Sequence, residues 1–220
     1  MPRLTLTFDN GPHPPTTEKV LQTLHDRGVR ATFFVVGDEL ARPGGREVAA
    51  AARAAGHWIG NHSMTHRVPL GESGRSDDVA EEIGAAQDLL GDLSHPDRLF
   101  RPFGGGGHLG PHLLSPAALR YLVDHRFTLA LWNSVPRDWE DPAGWVERAE
   151  QDVAAKEWTV LVLHDLPTGA MDHLAGFVDR VLAAGVEIVQ DLPDECAPIR
   201  RGVAKGLVQH LVAPADESAR

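Results

Sequence analysis

Short apolar and β-branched runs alternate along this chain with longer stretches in which apolar positions recur every three or four residues. The short runs predict strands at Leu4 to Phe8, Ala31 to Val36, His57 to Asn61, Leu99 to Phe103, Phe127 to Trp132, Thr159 to Leu163 and Val186 to Val189. The longer stretches predict helices at Thr17 to Arg27, Arg46 to Ala55, Asp77 to Leu93, Pro116 to His125, Ala143 to Lys156 and Asp172 to Ala184. Ser115-Pro116 and Asp141-Pro142 each place a capping side chain ahead of a first-turn proline. Gly28, Gly56 and Gly185 fall just past helix ends, where a left-handed residue is wanted. Seven strands alternating with helices imply parallel βαβ units, hence a barrel or a doubly wound sheet.

At 220 residues the chain suits one large α/β domain. The alternation fills residues 1–197; residues 198–220 hold a short apolar pattern and then a polar tail, expected to pack and then fray. A net charge of −10, with the acid spread along the chain, argues against nucleic acid or an anionic membrane as a partner. One cysteine, Cys196, excludes an intramolecular disulfide and a Cys-cluster zinc site. No apolar leader precedes the first strand and no run approaches the length of a membrane span, so a cytoplasmic location is expected. Nothing in the sequence speaks to oligomeric state.

Candidate chemistry gathers at the ends of predicted strands, where barrels of this type carry their sites. Asp9-Asn10-Gly11-Pro12 follows the first strand and reads equally as a turn, since all four residue types favour turns. His62 and His66 follow the third at a spacing of one helical turn, which predicts a shared face. Two neutral imidazoles with an open position for water suit Zn²⁺. His108 and His112 repeat the spacing inside a glycine-rich loop. The run Gly104 to Gly107 lacks the Lys-Ser/Thr that would make it a phosphate cradle. An apolar strand ending in His164 puts an imidazole at the barrel mouth, placed to protonate a leaving amine.

Taken in order, Thr7-Phe8-Asp9-Asn10-Gly11-Pro12, Asn61-His62-Ser63-Met64-Thr65-His66, Arg101-Pro102-Phe103-Gly104, Asp138-Trp139 and Leu161-Val162-Leu163-His164-Asp165 resemble the five motifs of the polysaccharide deacetylase family (the NodB-homology domain, carbohydrate esterase family 4). The resemblance runs from Leu4 to about Leu192 and implies a distorted seven-stranded (β/α) barrel. It implies that Asp9 is the general base, that His62, His66 and residue 10 hold a divalent metal, and that Arg101 orients Asp9 and keeps it ionised. It further implies that a backbone N–H near Phe103 or Gly104 stabilises the oxyanion, that Asp138 buttresses His164, and that Trp139, Phe103, Gly104 and Leu163 line the substrate pocket. The Asn-His-Ser context favours His62 and His66 over His108 and His112, which are expected to line the loop or face solvent.

Three departures bear on function. Asn10 stands where the family has a metal-binding Asp, which removes a negative charge and predicts weak metal binding. The third motif is one residue short between Arg101 and the aromatic, and Val135 replaces the first acid of the fourth. The favoured expectation is zinc-assisted deacetylation of an N-acetylated carbohydrate or related acyl amide. A metal-independent amidohydrolase of the same superfamily, acting on a small ureido or cyclic amide as allantoinase-type members do, is the alternative. A catalytically dead carbohydrate-binding module is the third, and the presence of Asp9, both histidines and His164 speaks against it.

Overall fold

In the computed structural model, residues 1–73 and 78–214 are described. Seven strands, β1 (Arg3–Asp9), β2 (Thr32–Val35), β3 (Trp58–Asn61), β4 (Leu99–Phe100), β5 (Thr128–Leu129), β6 (Trp158–His164) and β7 (Glu187–Val189), pair in parallel with helices between them. This is the distorted (β/α) barrel implied by the sequence, with the sheet curled through most of a circle. A single parallel bridge, Ser134 to Leu161, joins the segment after β5 to β6. Residues 198–214 add two short antiparallel strands, β8 (Ile199–Arg200) on β5 and β9 (Val203–Ala204) on β8. The end of the expected frayed tail, 215–220, and the first residue of the expected helix at Asp77 lie outside the described residues.

β1 organises the sheet. β6 pairs with it from Arg3 to Asp9, while its other edge is shared, β7 taking Arg3 to Thr5 and β2 taking Thr7 to Asp9. Alternation then sorts its side chains. Leu4, Leu6 and Phe8 join the core under the helices with Leu161 and Leu163 of β6. Thr5, Thr7 and Asp9 face the other way and are also buried, which gives β1 a polar face toward a barrel interior that also holds Phe34, Val160 and Val162. The β1–β6 register sets Asp9 directly opposite His164.

Local signals account for most element ends. Ser115 caps the helix Pro116–Asp124 by accepting from Ala118 N–H at 3.0 Å. Asp141 instead opens a turn, accepting from Gly144 N–H at 3.0 Å, and the helix begins at Trp145. The strands after residues 99 and 127 end sooner than expected, at Phe100 and Leu129, because the chain beyond each turns its groups to the site. Four helices end in the same way, with an N–H bonded to the carbonyl five residues back, from Val29, His57, Phe127 and Val186. The preceding left-handed residue is Gly28, Gly56 or Gly185 in three of them and Arg126, at φ 58°, in the fourth.

A left-handed L-residue costs roughly 1–2 kcal/mol that glycine avoids. Arg126→Gly is therefore expected to stabilise the protein by about 1 kcal/mol. Gly28→Ala, where an added Cβ meets nothing within 4 Å, should destabilise by a similar amount through the backbone alone. Urea denaturation of the two variants should give shifts of opposite sign.

Candidate active site

His62 and His66 converge, though not as a helical pair. The chain after β3 is an irregular loop in which Ser63 and His66 take positive φ, 67° and 52°. The imidazole rings meet with centroids 4.6 Å apart, and His66 also packs on Phe103 at 4.0 Å. The expectation of one helical face is thus corrected: two left-handed turns produce the approach. His62 Nδ1 lies 2.8 Å from the Arg101 carbonyl, which can only accept, so Nδ1 carries the proton and Nε2 keeps its lone pair. Burial pushes both imidazoles down to about 3, His62 adding to the effect at His66. Both rings are therefore neutral across the physiological range.

Arg101 is fully buried and reaches the end of β1 from β4. Its Nη1 donates to Asp9 Oδ1 at 2.9 Å and to Thr7 Oγ1 at 2.6 Å, while Nε and Nη2 donate to the Ala130 and Leu131 carbonyls. The other Asp9 oxygen faces His62 Nε2 at 3.6 Å. Burial pushes the Arg101 pKa down, and Asp9 opposes that shift. The shortened third motif still delivers Arg101 and Phe103 to their places. Gly104 passes close under Trp132, where a Cβ would come within 2.7 Å of the ring.

On the other side, His164 Nδ1 donates to Asp138 Oδ1 at 2.8 Å, and the second Asp138 oxygen accepts from His164 N–H at 2.9 Å. Trp139 sets its ring edge-on to His164, centroids 4.9 Å apart. Burial alone would push the His164 pKa down, but the hydrogen bond and charge of Asp138, with Asp9 and Asp165 adding, raise it above the ordinary imidazole value.

These groups surround a cavity of about 290 Å³. Asp9, Asn10, His62, His66, Phe103, Gly104, Trp139 and His164 all line it. Leu163 does not: it is buried in the core under the helices, and Val162 and Leu166 line the cavity instead. Alternation along β6 explains this, since the residue before His164 points to the opposite face. Trp132, Val135, Arg137 and Glu140 complete the wall. Val135, in the place of an acid, makes its part of that wall apolar, while Arg137 and Glu140 bring charge to the rest. His108 is exposed and His112 bonds the Gly104 carbonyl at 3.2 Å; neither lines the cavity.

The residues at the cavity floor fit a divalent cation. Asn10 Oδ1 is buried and accepts no hydrogen bond. An orphaned acceptor, in a cavity that two neutral imidazoles also line, is costly to bury unless something electropositive meets it. The donor set is two imidazoles and an amide; among the described residues no three His, Cys, Asp or Glu side chains form a closed metal-binding cluster.

One buried acid escaped the sequence reasoning. Asp165, next to His164, accepts from Thr17 Oγ1 and lies so close to Gly11 that a Cβ there would collide with its carboxyl. Its partners are 148 and 154 residues away in sequence, so no local pattern announces them. Burial raises its pKa from 3.8 to about 6, the Thr17 hydrogen bond opposing.

With this geometry in view, the comparisons with known proteins are specific. Residues 2–123, more than half of the chain, match the polysaccharide deacetylase family. A peptidoglycan-N-acetylglucosamine deacetylase of Bacillus cereus is 32% identical over 165 residues, covering 74% of this chain and 72% of its own. A chitooligosaccharide deacetylase of Sinorhizobium fredii is 29% identical over 208 residues, 90% of this chain and 89% of its own. The structure of a family 4 carbohydrate esterase from Streptomyces lividans in complex with acetate superposes with a TM-score of 0.71 at 25% identity, over 92% of this chain and 97% of that one. The chain belongs to the polysaccharide deacetylase family and is a hydrolase of carbon–nitrogen bonds other than peptide bonds. Among the described residues no helix is long and apolar enough to cross a membrane.

Because the folded state holds the Asp165 proton more tightly than the unfolded chain, the stability tied to this group is full below about pH 4 and is lost as pH rises through about 6. The loss amounts to about 3 kcal/mol at 1.36 kcal/mol per pKa unit. Asp165→Asn should flatten that decline, which urea denaturation at a series of pH values between 4 and 8 will show.

Proposed function

We propose that the protein deacetylates an N-acetylated carbohydrate, with Asp9 as general base and His164 as general acid. The observation that carries this reading is the pair of opposed relays across one cavity, Arg101 to Asp9 at 2.9 Å and Asp138 to His164 at 2.8 Å. One relay sets a guanidinium against a carboxylate and the other a carboxylate against an imidazole, which divides proton-accepting and proton-donating roles between the two sides of the cavity.

Asp9 takes the proton from the attacking water. Arg101 pairs with Asp9 through a charge-assisted hydrogen bond and fixes which oxygen is free to act. His62, His66 and Asn10 would hold a divalent cation, zinc by the nitrogen-rich donor set, which when bound supplies Lewis-acid polarisation of the acyl carbonyl. Phe103 and Gly104, at the cavity wall, are the segment whose backbone N–H groups would meet the developing oxyanion. His164, held in one tautomer by Asp138, passes its proton to the departing nitrogen. Trp139 offers a flat apolar face for a sugar ring or the acyl methyl. The N-acetyl sugars named for the relatives bring the substrate class, and the apolar wall at Val135, Val162 and Leu166 suits an acyl group.

His164→Ala should lower kcat on a chromogenic N-acetyl substrate by about 100- to 10,000-fold, the usual worth of general acid catalysis, without changing the circular dichroism spectrum. Its raised pKa carries the protonated form of His164 to higher pH than an ordinary imidazole, so activity should fall as pH climbs through that pKa. Asp138→Asn should move this alkaline limb to lower pH; an unmoved limb would assign it to another group.

Asn10→Asp restores a carboxylate beside the imidazoles and should raise zinc affinity by about 10–100-fold, the range ligand-sphere changes produce. Zinc titration of stripped wild type and variant checks this. Equal affinities would remove Asn10 from the cation site, and absence of binding in both would overturn the cation-assisted reading.

A further inference from the structure

The two imidazoles differ in how they are held. His62 is fixed twice, by its N–H to the Val35 carbonyl at 2.9 Å and by Nδ1 at the Arg101 carbonyl. The His66 side chain packs on the His62 and Phe103 rings and lacks a comparable anchor to another element among the described residues. Its position therefore depends on the backbone of the 63–66 loop, which carries two non-glycine residues in the left-handed region. Such conformations persist only where the surroundings over-determine them.

Two elements hold this loop: Gly37 and Asp38 N–H donate to the Ser63 and Met64 carbonyls at 3.0 and 2.8 Å, and a single turn of another element gathers its amides. Residues Ala80–Gly84 form a π-helical turn running into the helix Ala85–Leu90, and departures of this kind concentrate at functional sites. One oxygen of Glu82 accepts from both Met64 N–H and Thr65 N–H, at 3.0 and 2.9 Å, and the other accepts from the Thr65 hydroxyl at 2.5 Å. Asn61 ties the same turn to the loop's start: Nδ2 donates to the Ile83 carbonyl and Oδ1 accepts from Ser63 N–H, both at 2.9 Å. Ser63 Oγ then accepts from His66 N–H at 3.1 Å, which closes the loop. Glu82 itself does not line the cavity.

We propose that Glu82 is a positioning residue that sets His66 in the cation site by gathering the Met64 and Thr65 amides onto one carboxylate. This rests on the reading of His62 and His66 as cation-holding residues. Its effect is selective: loss of Glu82 releases the Met64 and Thr65 amides and so displaces His66, while Gly37 and Asp38 still hold the Ser63 and Met64 carbonyls and His62 stays anchored by Val35 and Arg101. Supporting groups of this kind characteristically change metal affinity by about 10–100-fold when removed.

The test uses the intact chain with Glu82→Ala and Glu82→Gln, read in two ways. In metal-free protein, NMR should show faster amide exchange at Met64 and Thr65 and loss of the Phe103 ring-current shift at His66, with His62 shifts unchanged. Glu82→Gln, which keeps one acceptor oxygen, should fall between wild type and Glu82→Ala, and it carries the test if the alanine variant does not fold. In zinc competition titrations, Glu82→Ala should weaken binding about 10–100-fold and add nothing further to His66→Ala. Unchanged His66 shifts, or a zinc loss fully additive with that of His66→Ala, would overturn the assignment. If wild type binds no zinc, the cation reading fails, and the His66 shifts alone still decide the role of Glu82.

Discussion

A guanidinium with no exposed surface has to be neutralised where it lies, and the site is built around meeting that demand. Arg101 occupies the interior of the barrel with every side of its head group in use: Asp9, Thr7, two backbone carbonyls, and the Phe34 ring 4.0 Å from its centre. Taking away one member of such a buried pair leaves an uncompensated charge, typically worth about 3–5 kcal/mol. The carboxylate assigned as base is thus also the counter-ion that makes the core tolerable. The same arginine holds Ala130 and Leu131, which lie beyond the end of β5, and its own carbonyl selects the His62 tautomer. Base, ligand and cavity wall are tied through one residue.

The resulting electrostatics are divided cleanly. One side of the cavity carries an anion backed by a cation, and the other an imidazole drawn toward its charged form by Asp138. Between them lie donors with no formal charge, His62, His66 and Asn10. The β1–β6 register brings the two sides together, because Asp9 and His164 are cross-strand partners at the ends of the only two seven-residue strands among the described residues.

Much of this was legible in the sequence. Alternation located all seven parallel strands, and capping residues located several helix ends. Asp9, Arg101, Asp138 and His164 were singled out from short motifs, and the structure gathers them around one cavity. The errors have physical causes. The i, i+4 spacing of His62 and His66 is compatible with a helical turn, but it does not determine one, and left-handed Ser63 and His66 produce the same convergence from a loop. Leu163 was assigned to the pocket although strict alternation from His164 sends it to the core. Asp165, Glu82, Arg137 and Glu140 went unseen because their significance lies in partners brought close by the barrel and not in any local pattern. Arg126 went unremarked because no glycine marks that helix end: a side chain takes the left-handed position there at a conformational cost.

The sharing of one edge of β1 between β7 and β2 has a mechanical meaning. Hydrogen bonds on both sides brace this strand along almost its whole length, and it ends in Asp9 and leads directly into Asn10. Across the barrel, β4 and β5 are two residues each, and the circle is joined there by one bridge at Ser134. Stiffness is therefore unequally distributed around the ring. Asp9 and His164 sit on its rigid arc, and Phe103, the glycine run and Val135 sit on its compliant one. Adjustment to the shape of an incoming molecule falls to the compliant arc, and the spacing of the reacting groups is left undisturbed.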